Sequence, residues 1–436
     1  MLQELSNHIN HNLPFLKGKK LLIAISGGID SVVLTHLLSA LKFNISLAHC
    51  NFNLRGTESD LDENFVKELG KEQNIAVFTS HFNTEEFAKK NKQSTQIAAR
   101  NLRYDWFNEL IEKHQFDYLL TAHHADDNLE TFLINLTRGA GLDGLTGIPE
   151  INGNIVRPLL TFSRNDVLTF AKENNIYWRE DKSNASTKYT RNKIRHLITP
   201  ILKEINPSLL ETFTKTTEHL KESLQIIEDK VNDVSTKVIS TENNFIKLDI
   251  SEIEKTSNPK AYLYQLLKEY NFTEWNDVYQ LLSAQSGKQV LSKTHTLLKN
   301  RGFLLLSKNV SSNEVKMFLI EETQSEITNP IHLKLEEVKE KSTENNQTIY
   351  VDKQRLSFPL TLRKWQDGDF FYPTGMTGKK KLSKYFKDQK LSLLEKQNTW
   401  LLCNNNEDII WIIDYRLDNR FETTQQTKSI LKIALL

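Results

Sequence analysis

The chain has 436 residues, more than one hydrophobic core usually organises, so two to four domains are expected at roughly 100–200 residues each. Hydrophobic residues make up 39% and charged residues 25%, a globular balance that excludes a disordered or fibrous chain. Lysine and arginine number 56 against 55 acidic residues, so no whole-molecule field steers the chain toward nucleic acid or membrane, and a polyanion site must be a local patch.

The first twenty residues lack the basic start, apolar run and small-residue cleavage site of a signal peptide. Nothing later approaches the ~18 consecutive apolar residues of a membrane span. Cys50 and Cys403 are too far apart in sequence to suggest a disulfide framework or a Cys-x-x-Cys pair. The expectation is a soluble, unprocessed, cytoplasmic chain without membrane contact.

From Leu21 to about Ala122, short continuously apolar runs alternate with segments of helical spacing. The runs Leu21–Ile25, Ile45–His49, Ile75–Phe78 and Tyr118–Thr121 predict strands covered on both faces, with helices over Ser31–Leu41, Asp60–Gln73 and Thr95–Lys113 between them. This is the pattern of βαβ units, and it predicts an α/β fold with a doubly wound parallel sheet. Ligands of such sheets lie beyond the carboxyl ends of the strands, where Ser26–Ser31, His49–Arg55 and Ala122–Asp127 would converge.

After Pro207, Leu209, Leu210, Phe213, His219, Leu220, Leu224 and Ile227 fall near one face of a long amphipathic helix. A hairpin is expected across Asn300-Arg301-Gly302, and the polar stretch Lys339–Gln347 reads as a linker or long loop. Alternation in Thr361–Trp365 and the apolar run Ile409–Ile413 predict a strand-rich end. The expected division is a catalytic domain over 1–205, a mostly helical middle domain over 206–340 and a small α+β domain over 348–436.

Between the first strand and the first helix of the sheet stands Ser26-Gly27-Gly28-Ile29-Asp30-Ser31. Backbone N–H groups at a strand-to-helix turn point outward, and the helix dipole adds partial positive charge, so the turn can hold a phosphate without a side-chain cation. Glycines let the phosphate reach the backbone. No lysine follows, which separates the turn from the longer Gly-x-x-x-x-Gly-Lys-Ser/Thr loop. An aspartate aimed at a pyrophosphate would repel it, so Asp30 either caps the helix or shares a magnesium ion.

The hexad resembles the PP-loop of the N-type ATP pyrophosphatases, which cleave ATP between the α and β phosphates. Further segments narrow the resemblance. His49-Cys50-Asn51-Phe52-Asn53-Leu54-Arg55, Ala99-Arg100-Asn101-Leu102-Arg103-Tyr104, Ala122-His123-His124-Ala125-Asp126-Asp127-Asn128-Leu129-Glu130-Thr131 and Arg138-Gly139-Ala140-Gly141-Leu142-Asp143-Gly144-Leu145 are similar to the tRNA(Ile)-lysidine synthases. So are Arg157-Pro158-Leu159, Asp181-Lys182-Ser183-Asn184, Arg191-Asn192-Lys193-Ile194-Arg195 and, in the tail, Leu382–Asp388 and Arg416–Phe421. Phe52 stands where the family's pattern leads one to expect a second histidine, so that residue's role is absent or moved here.

The resemblance implies that ATP adenylates O2 of the wobble cytidine (position 34) of a tRNA(Ile) with a CAU anticodon. The ε-amine of free L-lysine then displaces AMP from C2. It implies ATP and magnesium as cofactors and is compatible with a homodimer. The catalytic candidates are Asp30, Asp127, Arg100 and Arg191; the nucleotide would meet Ser26, Gly27, Gly28, Ile29, Asp30, Ser31 and His49, with magnesium on Asp30.

The amino-acid and tRNA side falls to Asp126, Asp127, Glu130, Arg103 and Arg195. An amine of pKa ~10.4 must be bound as a cation and then deprotonated, and carboxylates serve both needs. The run around His123 could instead bind zinc, or its aspartates could merely cap a helix. Arg100 and Arg103 could hold the α phosphate or the base, and the glycines at 139, 141, 144 and 147 could form a loop that closes over the cytidine. Lys380, Lys384 and Lys387 belong to the strongest basic patch and would grip the tRNA away from the anticodon, while Trp365, Trp400 and Trp411 read as core. A PP-loop tRNA thiolase or a non-catalytic ATP-dependent tRNA-binding protein are the alternatives; paired cysteines, absent here, would favour the first.

Overall fold

The computed structural model describes residues 1–180, 190–242, 245–309, 317–342, 345–376 and 378–436; the segment Asp181-Lys182-Ser183-Asn184 lies outside them. The chain divides into two compact units, Met1–Glu228 and Asp229–Leu436.

In the first unit the order is α1 (Leu2–Asn12), β1 (Lys20–Ala24), α2 (Ile29–Ala40), β2 (Asn44–Asn51), α3 (Thr57–Glu72), β3 (Val77–His81), α4 (Thr84–Lys90), α5 (Thr95–His114) and β4 (Tyr118–Leu120). Next come α6 (Ala125–Thr137), the single turn α7 (Leu142–Leu145), β5 (Ile151–Asn152), β6 (Ile155–Val156) and α8 (Arg164–Glu173). The sheet runs β3-β2-β1-β4-β6-β5, parallel except for the antiparallel β5–β6 edge. The first four strands begin within two residues of the expected runs.

The expected doubly wound sheet is therefore present, and its order explains the composition. Leu21, Leu22 and Ile23 of β1 are fully buried, as a central strand with helices on both faces requires. The inward side of α2, Val32, Val33, Leu34, Leu37 and Leu38, belongs to the same core as β1, β2 and α8. Burying each such side chain contributes about 1.5–3 kcal/mol. Because β1 pairs with β2 on one side and β4 on the other, the chain changes direction between β1 and β4. Their carboxyl ends are where such a sheet leaves a crevice.

The second unit contains a five-stranded antiparallel sheet over residues 239–308 with the helices Ile250–Glu254, Pro259–Leu267 and Trp275–Gln280. The expected hairpin is there: Asn300 faces Phe303, leaving Arg301-Gly302 as a two-residue turn with Arg301 at φ 54°. The amphipathic stretch after Pro207 is the helix Leu209–Val238.

Toward the tail, Leu360–Lys364, Trp400–Cys403 and Ile409–Ile412 pair antiparallel. The polar stretch Lys339–Gln347 includes residues 343 and 344, which lie outside the described residues. The strands on either side of it, Leu333–Val338 and Thr348–Asp352, both pair with Ile430–Leu435. Trp411 is fully buried, with Trp400 and Trp365 packed against core clusters.

Candidate active site

The turn after β1 is built from main chain. The Ile25 N–H donates to Ala48 O at 3.0 Å, extending the β1–β2 pairing, and Gly28 is the N-cap of α2. No side chain caps this helix, so the first-turn amides face the crevice without one. Ser31 Oγ instead folds the turn on itself, donating to Gly28 O at 3.0 Å and accepting the Ser26 N–H at 3.2 Å. Gly27 sits at φ +88°, a conformation that disfavours any side chain, and a Cβ there would lie 3.4 Å from the Phe65 ring. The Arg179 N–H donates to Gly27 O at 3.0 Å, a tie that sequence reading did not foresee.

Asp30, in the first turn of α2, has its Oδ1 buried without a hydrogen-bond partner among the described residues. Burial, with Asp127 nearby, pushes its carboxyl above the usual range against the pull of His124. His49 lies inside β2 rather than at its end. It is buried, and its Nδ1 donates to Ile25 O at 3.0 Å, steadying the residue before the turn; burial holds its pKa down.

The second arm is the opening of α6. The His124 ring accepts the Asp127 N–H at 3.3 Å, and Asp127 Oδ2 accepts the His124 N–H at 3.2 Å, a reciprocal cap. Cap and site thus use the same aspartate. Asp127 Oδ1 accepts from Arg195 Nη2 at 2.8 Å, while Glu130, one turn on and 1% exposed, accepts from Arg195 Nε at 2.6 Å and Nη2 at 2.9 Å. Burial works against the Asp127 charge, but His124, His123 and Arg195 outweigh it and its carboxyl stays below the usual range. Burial dominates at Glu130 and pushes its carboxyl up. Arg191 reaches the same face, donating to Thr131 Oγ1 at 2.6 Å. Arg195 lies in a π-helical turn, Ile194–Ile198, a distortion frequent at functional sites.

Asp126, expected on this face, is turned away from it. Its Oδ2 accepts the Arg164 N–H at 2.8 Å and its Oδ1 pairs with Lys203. Successive helical residues point about 100° apart, so the cap phase that aims Asp127 and Glu130 inward aims Asp126 elsewhere. Arg100 and Arg103 on α5 are both exposed, Arg100 over the Tyr104 ring and Arg103 over the Phe52 ring, with centroid distances of 5.1 and 5.2 Å. Phe52 also stacks on Phe82 at 5.7 Å, an aromatic contact in place of the expected histidine.

The glycine loop is not free to swing along its whole length. Asn135 Nδ2 donates to Gly144 O at 2.8 Å and Asn128 Oδ1 accepts the Ile148 N–H at 2.6 Å, pinning it to α6. Gly147, at φ +80°, passes so close that a Cβ would lie 2.3 Å from Asn128 Oδ1. Among the described residues the group of ligand-type side chains close enough for a metal ion is Asp60, Glu63 and His81, not the zinc candidate around His123. In the second unit, Lys384 and Lys387 are exposed on the helix Leu382–Asp388, whereas Lys380 pairs with Asp388 at 2.8 Å.

One further group gives the site a pH signature. Burial, partly offset by Asp127, pushes the His123 ring down to about 4 from 6.5. Between those values the unfolded chain binds a proton that the folded chain refuses, so stability falls as pH drops from about 6.5 to 4. At 1.36 kcal/mol per pH unit the contribution is at most about 3 kcal/mol. In urea titrations across this range, His123→Gln should lose stability less steeply than the parent; parallel curves would contradict the assignment.

The switch-point turn and the parallel sheet define a PP-loop enzyme that uses ATP, and the family model of the PP-loop domain matches residues 1–202. The TilS substrate binding domain model matches residues 241–309 and the TilS substrate C-terminal domain model residues 360–433. The tRNA(Ile)-lysidine synthase of Parabacteroides distasonis is 38% identical over 96% of both chains, and that of Bacteroides thetaiotaomicron 36% identical over 98% of both. The chain belongs to the tRNA(Ile)-lysidine synthase family, ligases that form a carbon–nitrogen bond. Among solved structures, it is similar to the U34-tRNA thiolase NcsA of Methanococcus maripaludis at a TM-score of 0.42 and 21% identity, over 51% of this chain and 80% of that one. Among the described residues no helix is long and apolar enough to cross a membrane.

Proposed function

We propose that this chain joins free L-lysine to C2 of the wobble cytidine in the CAU anticodon of tRNA(Ile), with ATP as the activating substrate. The observation that carries the reading is the acidic face of α6, where Asp127 and Glu130 lie together across the switch point from the nucleotide turn. Cytidine O2 attacks the α phosphorus of ATP, the α–β phosphoanhydride bond breaks, and pyrophosphate leaves beside the uncapped amides of Ile29 to Ser31. The lysine ε-amine then attacks C2, the C2–O bond breaks, and AMP leaves. The amine's proton passes to Asp127, whose ionised carboxylate first receives the ammonium. Arg191 and Arg100 stand ready for phosphate charge.

Asp30 fits a magnesium ion, because its buried Oδ1 accepts no hydrogen bond among the described residues and keeps lone pairs for a ligand bond beside His124. The ion would neutralise triphosphate charge. The reaction is read as cytoplasmic and confined to residues 1–205, with the exposed Lys384 and Lys387 gripping the tRNA elsewhere.

The test supplies ATP, magnesium, labelled lysine and a tRNA(Ile) transcript with a CAU anticodon. Label should enter the tRNA with release of AMP and pyrophosphate. Equal labelling of a methionine tRNA, or no labelling, would refute the assigned specificity.

A further inference from the structure

The loop from β4 into α6 places a histidine between the two acidic residues that the reaction needs in register. His124 is 2% exposed at its side chain. Its Nδ1 accepts the Asp127 N–H at 3.3 Å, and a ring nitrogen that accepts cannot carry a hydrogen. A ring hydrogen therefore sits on Nε2. That atom lies 3.4 Å from Asp127 Oδ2 and 3.7 Å from Asp30 Oδ1. Asp30 Oδ1 is also the buried oxygen left without a partner among the described residues. Nε2 thus lies close to a carboxylate on each side of the switch point and is hydrogen-bonded to neither, at distances that catalytic hydrogen bonds commonly shorten when substrates bind.

We propose that His124 is a positioning residue whose Nε2–H holds Asp30 of the nucleotide turn and Asp127 of the lysine site in one geometry. It thereby couples adenylation to amine attack. The proposal rests on the reading of Asp127 as the carboxylate that receives lysine. A plain N-cap is the competing account, and it assigns work only to Nδ1.

Two substitutions separate the two nitrogens. Asparagine in place of His124 offers an acceptor near the Nδ1 position and is a favoured N-cap, but reaches neither carboxylate. Glutamine in the same place carries its amide near the Nε2 position and is a poor cap. In His124→Asn, thermal unfolding should match the parent and KM for ATP and lysine should stay within about threefold. Its kcat for lysine transfer should fall about a hundredfold, the scale of a small misplacement of reacting groups. In His124→Gln, the unfolding temperature should fall while kcat stays within about tenfold of the parent.

Equal kcat in the two variants, whether high or low, overturns the proposal, as does a parental kcat in His124→Asn. The parent protein and Asp127→Asn serve as references: if the parent transfers no lysine, or Asp127→Asn transfers it at the parental rate, the underlying reading of the site has failed instead.

Discussion

Replacing Arg195 with alanine is expected to lower the unfolding free energy of the first unit by about 3–5 kcal/mol, the cost of breaking a buried ion pair from one side. Glu130 is 1% exposed, and Arg195 supplies it with two hydrogen bonds while sharing a third with Asp127. Without that guanidinium the buried carboxylate keeps only the more distant Arg191 at 3.7 Å, so it takes up a proton more readily than it remains charged. The folded-state pKa of Glu130 then rises further above the unfolded value, and the folded form gains stability as pH falls. The penalty should therefore be smaller at pH 5 than at pH 8. Lysine at this position carries the charge but not the planar fork, and should recover only part of the loss. Urea unfolding followed by circular dichroism measures all three; a loss below about 1 kcal/mol for the alanine variant would mean that the pair is not holding α6 to the π-helical turn.

The second large effect concerns chemistry rather than folding. Asp127→Asn keeps the shape of the side chain and an oxygen for the His124 N–H, so the cap on α6 should survive. On the proposed reading it removes the charge that receives the ammonium and the base that takes its proton. Lysine transfer should fall by about 10²–10⁴-fold, the usual worth of a positioned acid or base. ATP binding, measured by titration calorimetry, should change less than about tenfold because the amides of the turn are untouched. A non-catalytic tRNA-binding protein would lose nothing; undiminished transfer would remove Asp127 from the role given to it here.

Much of this architecture could be read from local pattern. The strands of the parallel sheet are buried on both faces, which forces runs such as Leu21 to Ile25 to be apolar throughout, and a glycine turn follows directly. The expected nucleotide turn and the acidic motif do open α2 and α6, on strands that neighbour in the sheet. Long-range pairing was less legible. Asp126 and Asp127 are adjacent and chemically identical, and what separates them is a cap phase together with Arg164 and Lys203, 38 and 77 positions away. Arg179, whose backbone holds Gly27, carries no motif at all.

The short helices α1 and α4 were missed for a related reason. Few of their side chains are buried: Leu5 and Ile9 in the first, Thr84 and Ala88 in the second. The polar stretch Lys339–Gln347 reads equally as a linker or a long loop, because local composition cannot reveal that Ile430–Leu435 comes back between its flanking strands.

The pinning of the glycine loop has a consequence for how this sequence can drift. Gly147 and Asn128 occupy one volume: a methyl group at 147 would overlap the amide oxygen that holds Ile148, and the backbone at 147 is already left-handed. A smaller residue at 128 would relieve only the overlap: it would give up the hydrogen bond to Ile148 and leave the left-handed backbone strained, so position 147 stays closed to side chains whatever stands at 128.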